Sequence, residues 1–247
     1  MTALPDGLDA ALRSLAGRRP ILVASDYDGV LARLRDDPSD AVPETGVAEV
    51  LTRLAAVDGV TVALVSGRGV ADLQTTSGFT GPFRWVGSHG AEFDGPLTGE
   101  LAGRRDDLAA RLAPLVAAVE GARLEVKPAS VAVHVRQVAD RAAAAALLAD
   151  ARSRADSSLT LKPGKDVLEL AVTDADKGSA LRRLAGELGT VATLYLGDDL
   201  TDEDAFRVLG PDDVTVKIGD GGTAARHRVP DTAGAVASLE LLADLLV

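Results

Sequence analysis

Two aspartates of this 247-residue chain, Asp26 and Asp28, follow the apolar run ILVAS and stand one residue apart before a glycine. Parallel strands of α/β proteins read as apolar runs, and ligands bind at the carboxyl ends of such strands. The pair is therefore expected where an active site would lie. A plain Asp-Gly turn at Asp28 explains the same residues when the segment is taken alone.

Polar residues follow other apolar segments in the same way. Ser66 and Arg68 come directly after VTVALV, and Lys177 precedes the helical segment GSALRRLAGEL. Carboxylates follow VATLYLG, at Asp198, Asp199 and Asp202. Hard divalent cations take oxygen ligands, and lysine and serine donors suit phosphoryl oxygens. Together these groups predict a site that binds a divalent cation and a phosphate, which no single cluster would indicate.

Composition limits the classes of protein and partner. With 47% hydrophobic residues the chain can bury a core, and its lack of cysteine excludes disulfides, thiolate catalysis and cysteine-based zinc sites. A net charge of −11 and only 3% aromatic residues argue against a nucleic-acid partner. We expect no membrane span and no signal peptide, and hence a cytoplasmic protein.

The elements that position these residues alternate between strand and helix, which is typical of a parallel sheet. We predict strands at 20–26, 60–66, 84–88, 191–197 and 214–218. We predict helices at 44–57, 69–77, 176–189, 202–210 and 234–246. Glu203 and Asp204 are interpreted as acidic residues that favour the dipole of a helix beginning near Thr201.

The pattern changes between Pro96 and Val172. Here we predict an αββαββ module with helices at 104–119 and 138–154 and strands at 122–127, 130–136, 158–162 and 166–172. The expected domains are a discontinuous core, 1–95 with 173–247, and an inserted cap, 96–172. Alternation directs Leu124 and Val126 toward the module's helices and leaves the opposite face of its sheet polar. That face is either an ordinary solvated surface or a sugar-binding lid.

Four segments, in this order, resemble the motifs of the haloacid dehalogenase superfamily: DYDGV, VSGR, the Lys177 segment and GDDLTDEDAF. Four more resemble trehalose-6-phosphate phosphatases: GSHGAE, LEVK, HVR and GKDVLEL. The similarity runs from about Ile21 to the end of the chain. It implies an α/β fold, with a Rossmann-like core whose parallel sheet is flanked by helices and an inserted αββαββ cap domain.

The resemblance also implies catalytic roles. Asp26 would attack phosphorus to form an aspartyl-phosphate, and Asp28 would protonate the leaving sugar oxygen and then activate water. Ser66 and Lys177 would hold the phosphoryl oxygens and neutralise the charge of the transition state. Arg68 is expected only to support its loop.

By the same resemblance, the chain binds Mg²⁺ as its cofactor. The implied ligands are Asp26, the backbone carbonyl of Asp28 and Asp198, with water completing the shell. Asp199 and Asp202 would orient these ligands without touching the ion.

Residues of the implied cap are expected to bind the sugar. They match family patterns at Glu125, Lys127, His134, Arg136, Lys165 and Glu169. Each pair within ExK and GKxxxE is expected to share one face of a strand. His89 also matches, with a structural hydrogen-bonding role as the alternative.

The function implied is Mg²⁺-dependent hydrolysis of trehalose 6-phosphate to trehalose and phosphate, in trehalose biosynthesis. The expected partner is a sugar phosphate, with functional coupling to a trehalose-6-phosphate synthase. Two alternatives remain. One is a phosphatase of the same fold for another sugar or polyol phosphate, and the other is a catalytically inactive sugar-phosphate sensor.

Overall fold

The computed structural model describes residues 4–247, which form two compact units. The first unit contains the residues up to Gly95 together with Ala175–Val247, and the second is Pro96–Asp174. The first unit is therefore discontinuous in sequence, and the second is a single insertion.

A seven-stranded sheet forms the centre of the first unit, and its strands are β1 (Ile21–Ser25), β2 (Val60–Val65), β3 (Arg84–Gly87), β4 (Glu92–Phe93), β9 (Ala192–Gly197), β10 (Val214–Ile218) and β11 (His227–Val229). Their order across the sheet is β11-β10-β9-β1-β2-β3-β4. All neighbours are parallel except β3 and β4, which are antiparallel. The predicted parallel sheet is confirmed, and β4 and β11 are additions to it.

Helices pack around this sheet, and they are α1 (Asp6–Ala16), α2 (Val47–Ala55), α3 (Val70–Ser77), α6 (Lys177–Leu188), α7 (Asp202–Val208) and α8 (Thr232–Leu246). Helix α1 was not expected from the sequence. Its Leu8, Leu12 and Leu15 recur at helical spacing and are all buried in the same hydrophobic cluster as β1.

The central strand is buried on both faces, as its uninterrupted apolar run indicates. Ile21 and Val23 belong to one hydrophobic cluster, and Leu22 and Ala24 belong to another. Since successive side chains point to opposite faces, these clusters lie on the two sides of the sheet. Burial on both faces fixes the register of β1 and thereby the position of the residue that follows it, Asp26.

The second unit has the predicted αββαββ order, with α4 (Gly99–Ala117), β5 (Arg123–Lys127), β6 (Ser130–His134), α5 (Arg141–Ser153), β7 (Thr160–Gly164) and β8 (Val167–Ala171). Its four strands form an antiparallel sheet in the order β5-β6-β8-β7. Val131, Val133, Leu168 and Leu170 lie on one face of this sheet, within the hydrophobic cluster that also contains residues of both helices.

Two details of this unit differ from the prediction. Val126 is 52% exposed, because β5 is at the edge of the sheet and the unit's helices do not cover it there. Arg136 lies beyond the end of β6, and Lys165 lies in the turn between β7 and β8. The expectation that Lys165 shares a strand face with Glu169 is therefore wrong.

Among residues 4–247, none of the helices combines the length and the apolar character that crossing a membrane requires.

Candidate active site

The predicted catalytic residues follow the carboxyl ends of neighbouring strands. Asp26 comes directly after β1, Ser66 after β2 and Asp198 after β9, and β1 lies between the other two strands. Backbone hydrogen bonds continue past the strands, since the Asp26 amide donates to the Leu196 carbonyl at 2.9 Å and the Ser66 amide donates to the Val86 carbonyl at 2.9 Å. The parallel sheet thus brings together three groups that are far apart in sequence.

Asp26 is buried and accepts two short hydrogen bonds. Its Oδ1 accepts from the Tyr27 amide at 2.6 Å, and its Oδ2 accepts from Lys177 Nζ at 2.6 Å. Burial raises the pKa of Asp26 to about 7, and repulsion from Asp202 adds to this, while the charge of Lys177 opposes it. The carboxylate is therefore fixed in orientation, with a lysine charge directly against one of its oxygens.

Asp202 is fully buried and accepts four hydrogen bonds. Its Oδ1 accepts from Lys177 Nζ at 2.7 Å and from the Tyr195 hydroxyl at 2.6 Å. Its Oδ2 accepts from the backbone amides of Asp198 and Asp199, both at 2.9 Å. Asp202 thereby holds Lys177 and the Asp198 loop in one arrangement. Its role beside a metal ion stays a prediction.

Three of these carboxylates are close enough to hold one metal ion. Oxygens of Asp26, Asp198 and Asp202 all lie within 4.8 Å of one another. Burial raises the pKa of Asp198 to about 6, with repulsion from Asp202 as the next cause. Burial is the main cause of the raised pKa values of Asp26 and Asp198 and repulsion from Asp202 adds to it, and a bound divalent cation would favour the ionised forms. The donor set therefore fits a hard cation that prefers oxygen ligands.

The predicted acid/base residue has a partner that the sequence analysis did not assign. Arg68 Nε donates to Asp28 Oδ2 at 2.7 Å, and Arg68 Nη2 donates to Asp28 Oδ1 at 2.8 Å. The Arg68 side chain is only 8% exposed and also pairs with Asp72 at 3.0 Å. A two-point contact of this kind fixes the plane of a carboxylate. Arg68 orients Asp28, so the expectation that it only supports its loop is wrong.

Two further charged side chains, Lys217 and Glu203, are buried and contact neighbouring loops. Lys217 is buried at the carboxyl end of β10 and donates from Nζ to the Asp198 backbone carbonyl. It lies within β10, whose other residues are Val, Thr and Ile, and a lysine inside such a run was the available signal. Glu203 is buried and accepts from the Ala224 amide at 2.8 Å, so it joins α7 to the loop after β10. Glu203 also lies in the first turn of α7, as its interpretation as a helix-dipole residue requires, and the contact with Ala224 is an additional role.

His89 lies against Gly67, in the loop that follows β2 of the first unit, whereas the other predicted sugar ligands belong to the second unit. A Cβ added to Gly67 would lie 2.5 Å from His89 Cε1, so a larger residue at position 67 would displace the imidazole. Ser88 and His89 both have left-handed backbone angles, with φ of 49° and 57°. Each such non-glycine residue costs about 1–3 kcal/mol and persists only where its surroundings enforce it.

The polar face of the second unit carries linked side chains. Glu125 Oε2 and His134 Nε2 are 2.7 Å apart, and Lys127 Nζ donates to Glu169 Oε2 at 2.7 Å. Ser130, which the sequence analysis missed, donates to Glu169 Oε1 at 2.7 Å. Its place in SVAVH, an even number of residues before His134, was the available signal. These five residues share one face of the sheet.

Glu169 is the best-partnered carboxylate on this face. Burial raises its pKa, but the hydrogen bonds from Lys127 and Ser130 outweigh burial, and the pKa of Glu169 is lowered from its ordinary value. Arg136 and Lys165 are exposed in turns outside the strands. Four of the six predicted cap residues thus lie together on the sheet, and Arg136 and Lys165 lie at the ends of its strands.

Comparison with known proteins gives a consistent result. A family model described as trehalose-phosphatase matches residues 24–232. The trehalose-phosphate phosphatase of Mycolicibacterium paratuberculosis is 37% identical over 275 residues, which cover 100% of this chain and 68% of that protein. The trehalose-phosphate phosphatase of Mycobacterium marinum is 36% identical over 247 residues, which cover 91% of this chain and 62% of that protein. The chain thus spans between 62% and 68% of the length of these relatives.

A solved structure of Aspergillus fumigatus trehalose-6-phosphate phosphatase superposes with a TM-score of 0.76 and 24% sequence identity, and the match covers 99% of both chains. At that identity the likeness concerns the fold. The expected α/β fold, with a parallel sheet flanked by helices and an inserted αββαββ unit, is confirmed.

Proposed function

The chain belongs to the trehalose-phosphatase family, and from that premise we propose that it hydrolyses trehalose 6-phosphate to trehalose and inorganic phosphate. The observation that carries this proposal is the buried Lys177, which contacts Asp26 at 2.6 Å and Asp202 at 2.7 Å. That contact joins the predicted nucleophile to the loop of the predicted metal ligand, Asp198. An inactive sugar-phosphate sensor would not need this arrangement.

Asp26 is the nucleophile in the proposed reaction. Its carboxylate oxygen bonds to phosphorus as the bond from phosphorus to the sugar oxygen breaks, and an aspartyl-phosphate forms. Lys177 lies against one Asp26 oxygen and next to the position of the phosphoryl group, so it neutralises charge that spreads over the phosphoryl oxygens. Ser66 donates to the same oxygens from the end of β2.

Asp28 transfers the protons. It donates a proton to the departing sugar oxygen, and it then accepts a proton from the water that attacks the aspartyl-phosphate. The two-point contact with Arg68 sets the orientation from which Asp28 begins. In the proposed reaction Asp28 exchanges protons only with the sugar oxygen and the attacking water.

The family's metal dependence and the three-carboxylate group support a bound divalent ion, for which we propose Mg²⁺. Asp26, Asp198 and the backbone carbonyl of Asp28 would hold it, and Asp202 would orient the Asp198 loop. When bound, the ion supplies positive charge to the phosphoryl oxygens.

The second unit is proposed to recognise the sugar through the polar face of its sheet. Its carboxylates and donors are held by one another, at 2.7 Å for Glu125 with His134 and for Lys127 with Glu169, and such fixed groups suit hydroxyl recognition. Arg136 and Lys165 extend this set from the turns. Coupling to a trehalose-6-phosphate synthase and a cytoplasmic location stay predictions from the sequence.

The proposal is tested by phosphate release from a panel of phosphomonoesters with Mg²⁺ and with EDTA. We expect trehalose 6-phosphate to be preferred over glucose 6-phosphate, sucrose 6-phosphate and mannosyl phosphoglycerate, and EDTA to abolish turnover. Preference for another member of the panel would replace the substrate assignment. Tight binding of trehalose 6-phosphate without turnover would instead identify a sensor.

A further inference from the structure

The left-handed turn Ser88–Gly90, between β3 and β4, holds the loop that carries Ser66. The His89 amide donates to the Ser66 carbonyl at 3.0 Å, and the Ser88 amide donates to the Arg68 carbonyl at 2.7 Å. Both carbonyls belong to the loop that follows β2. The turn therefore fixes the backbone on either side of Gly67.

The same turn also contacts the helix that carries Lys177. Gly90 has a φ of 111°, and a Cβ added to it would lie 2.6 Å from the backbone oxygen of Asp176. Asp176 is the N-terminal capping residue of α6, and Lys177 is the first residue of that helix. One three-residue turn thus lies against both elements that are proposed to hold the phosphoryl oxygens.

Glu92 ties this turn to the rest of the unit. Its side chain is buried, with the residue 3% exposed, and its Oε2 accepts from the Ser88 hydroxyl at 2.8 Å and from the Val70 amide at 3.2 Å. Val70 begins α3, directly after the Ser66 loop. Glu92 therefore joins the turn to the far end of the loop, and the proposed reaction gives this buried carboxylate no chemical step.

We propose that Glu92 is a positioning residue, which keeps the turn Ser88–Gly90 in its left-handed form and so sets the spacing between Ser66 and Lys177. This inference rests on the proposed function for the roles of those two residues. It assigns Glu92 to recognition of the phosphoryl group and gives it no part in recognition of the sugar.

Loss of the Glu92 side chain is expected to weaken phosphate binding strongly. Two successive non-glycine residues in left-handed conformation relax when the contacts that enforce them are removed. Relaxation of Ser88 and His89 would shift the carbonyl contacts to Ser66 and Arg68, and a misplacement of about 1 Å can cost about 100-fold in rate.

The test compares Glu92→Ala and Glu92→Gln with wild type. Affinity for inorganic phosphate is measured by calorimetry in the presence of Mg²⁺, together with turnover of p-nitrophenyl phosphate and the thermal midpoint. We expect Glu92→Ala to lose about 10- to 100-fold in phosphate affinity and in kcat/KM. Glu92→Gln keeps an acceptor oxygen for both hydrogen bonds, and we expect it to remain within about threefold of wild type.

Ser238→Ala is the control, because Ser238 is buried and donates to the Gly234 carbonyl within α8, at 2.8 Å. It should lower the thermal midpoint without changing phosphate affinity. If Glu92→Ala does not fold, Ser88→Ala removes the hydroxyl that Glu92 accepts from and should weaken phosphate binding by about 3- to 10-fold.

Phosphate affinity within twofold of wild type in Glu92→Ala, or in Ser88→Ala where that variant replaces it, would overturn the proposal. So would a loss in Glu92→Gln as large as that in Glu92→Ala, since this would assign the effect to charge. Neither the affinity for inorganic phosphate nor the turnover of p-nitrophenyl phosphate depends on recognition of a sugar. Failure of the wild type to hydrolyse trehalose 6-phosphate would therefore count against the proposed substrate and leave this test intact.

Discussion

Replacement of Asp202 by asparagine tests whether one buried carboxylate organises the candidate site. Asp202 accepts four hydrogen bonds, two at each oxygen. Asparagine has one acceptor oxygen and one amide donor group. Whichever way the amide is oriented, one pair of donors loses its acceptor: either Lys177 Nζ with the Tyr195 hydroxyl, or the backbone amides of Asp198 and Asp199.

The expected decrease in the free energy of unfolding of Asp202→Asn follows from these four hydrogen bonds. Each buried donor left without an acceptor costs about 1–3 kcal/mol, so two donors cost about 2–6 kcal/mol in the free energy of unfolding. Loss of the Asp202 charge also leaves Lys177 paired with Asp26 alone. Relief of the repulsion that Asp202 exerts on Asp26 and Asp198 acts in the opposite direction. We expect the lost contacts to dominate, because they include an ion pair that is buried on both sides.

For a chain of this length, 1 kcal/mol corresponds to about 2–4 °C in the thermal midpoint. The expected decrease in the midpoint is therefore between about 4 and 24 °C, measured by circular dichroism or calorimetry with EDTA present. Metal-free conditions separate this stability effect from any effect on the bound ion.

Asp199→Asn is the matched control, because Asp199 is exposed and accepts from the Leu200 amide at 2.6 Å on the same loop. It should shift the midpoint by no more than about 2 °C. A midpoint for Asp202→Asn as high as that of the control would refute the organising role. Phosphatase activity of Asp202→Asn equal to that of the wild type would also refute the organising role of Asp202.

Three more outcomes are expected from named residues. Asp26→Asn should lose all measurable turnover. Asp28→Asn should form aspartyl-phosphate slowly from an activated phosphate and retain it, as measured by acid-quench trapping. Normal turnover in either variant would contradict the role proposed for the replaced aspartate. Glu169→Ala and Lys127→Ala should lower kcat/KM for trehalose 6-phosphate by roughly 10- to 1,000-fold in steady-state assays, and the change for p-nitrophenyl phosphate should be far smaller. A parallel loss of both activities would assign these residues to folding. Because the pKa of Asp26 is about 7 and that of Asp198 is about 6, both carboxylates bind protons at pH 5.5 and are largely ionised at pH 8. Calorimetry should then show Mg²⁺ binding at least about tenfold weaker at pH 5.5, and equal affinity at the two pH values would show that the ligands of the ion take up no protons in this range.

The parts of the fold that the sequence predicted are those with strong periodicity or an apolar run. The strand before Asp26 and the αββαββ insertion were both clear, since each follows from local pattern. The strands β4 and β11 are only two and three residues long, so their sequences are too short to show alternation. Helix α1 was not predicted although its leucines have helical spacing, because Pro5, Asp6 and Gly7 at its start form a sequence typical of turns.

At the site, residue types and strand ends identified the side chains, but their pairing was not readable from sequence. The contact of Arg68 with Asp28 joins residues 40 apart, and that of Lys217 with Asp198 joins residues 19 apart. Glu203 shows the same limit. Acidic residues at a helix start usually face solvent, and only the packing of α7 against the loop at Ala224 reveals that this one is buried.

The order of the strands has a consequence for synthesis of the chain. β1, which carries Asp26, pairs with β2 on one side and with β9 on the other, and the inserted unit separates these partners in sequence. A nascent chain that has emerged only as far as the insertion leaves β1 with one open edge and without Lys177, which lies 151 residues after Asp26. Such an edge can pair wrongly with other chains until β9 emerges from the ribosome. The second unit contains all its own strands and can complete its sheet first, so we expect it to be protected from proteolysis earlier during translation than the unit that precedes it.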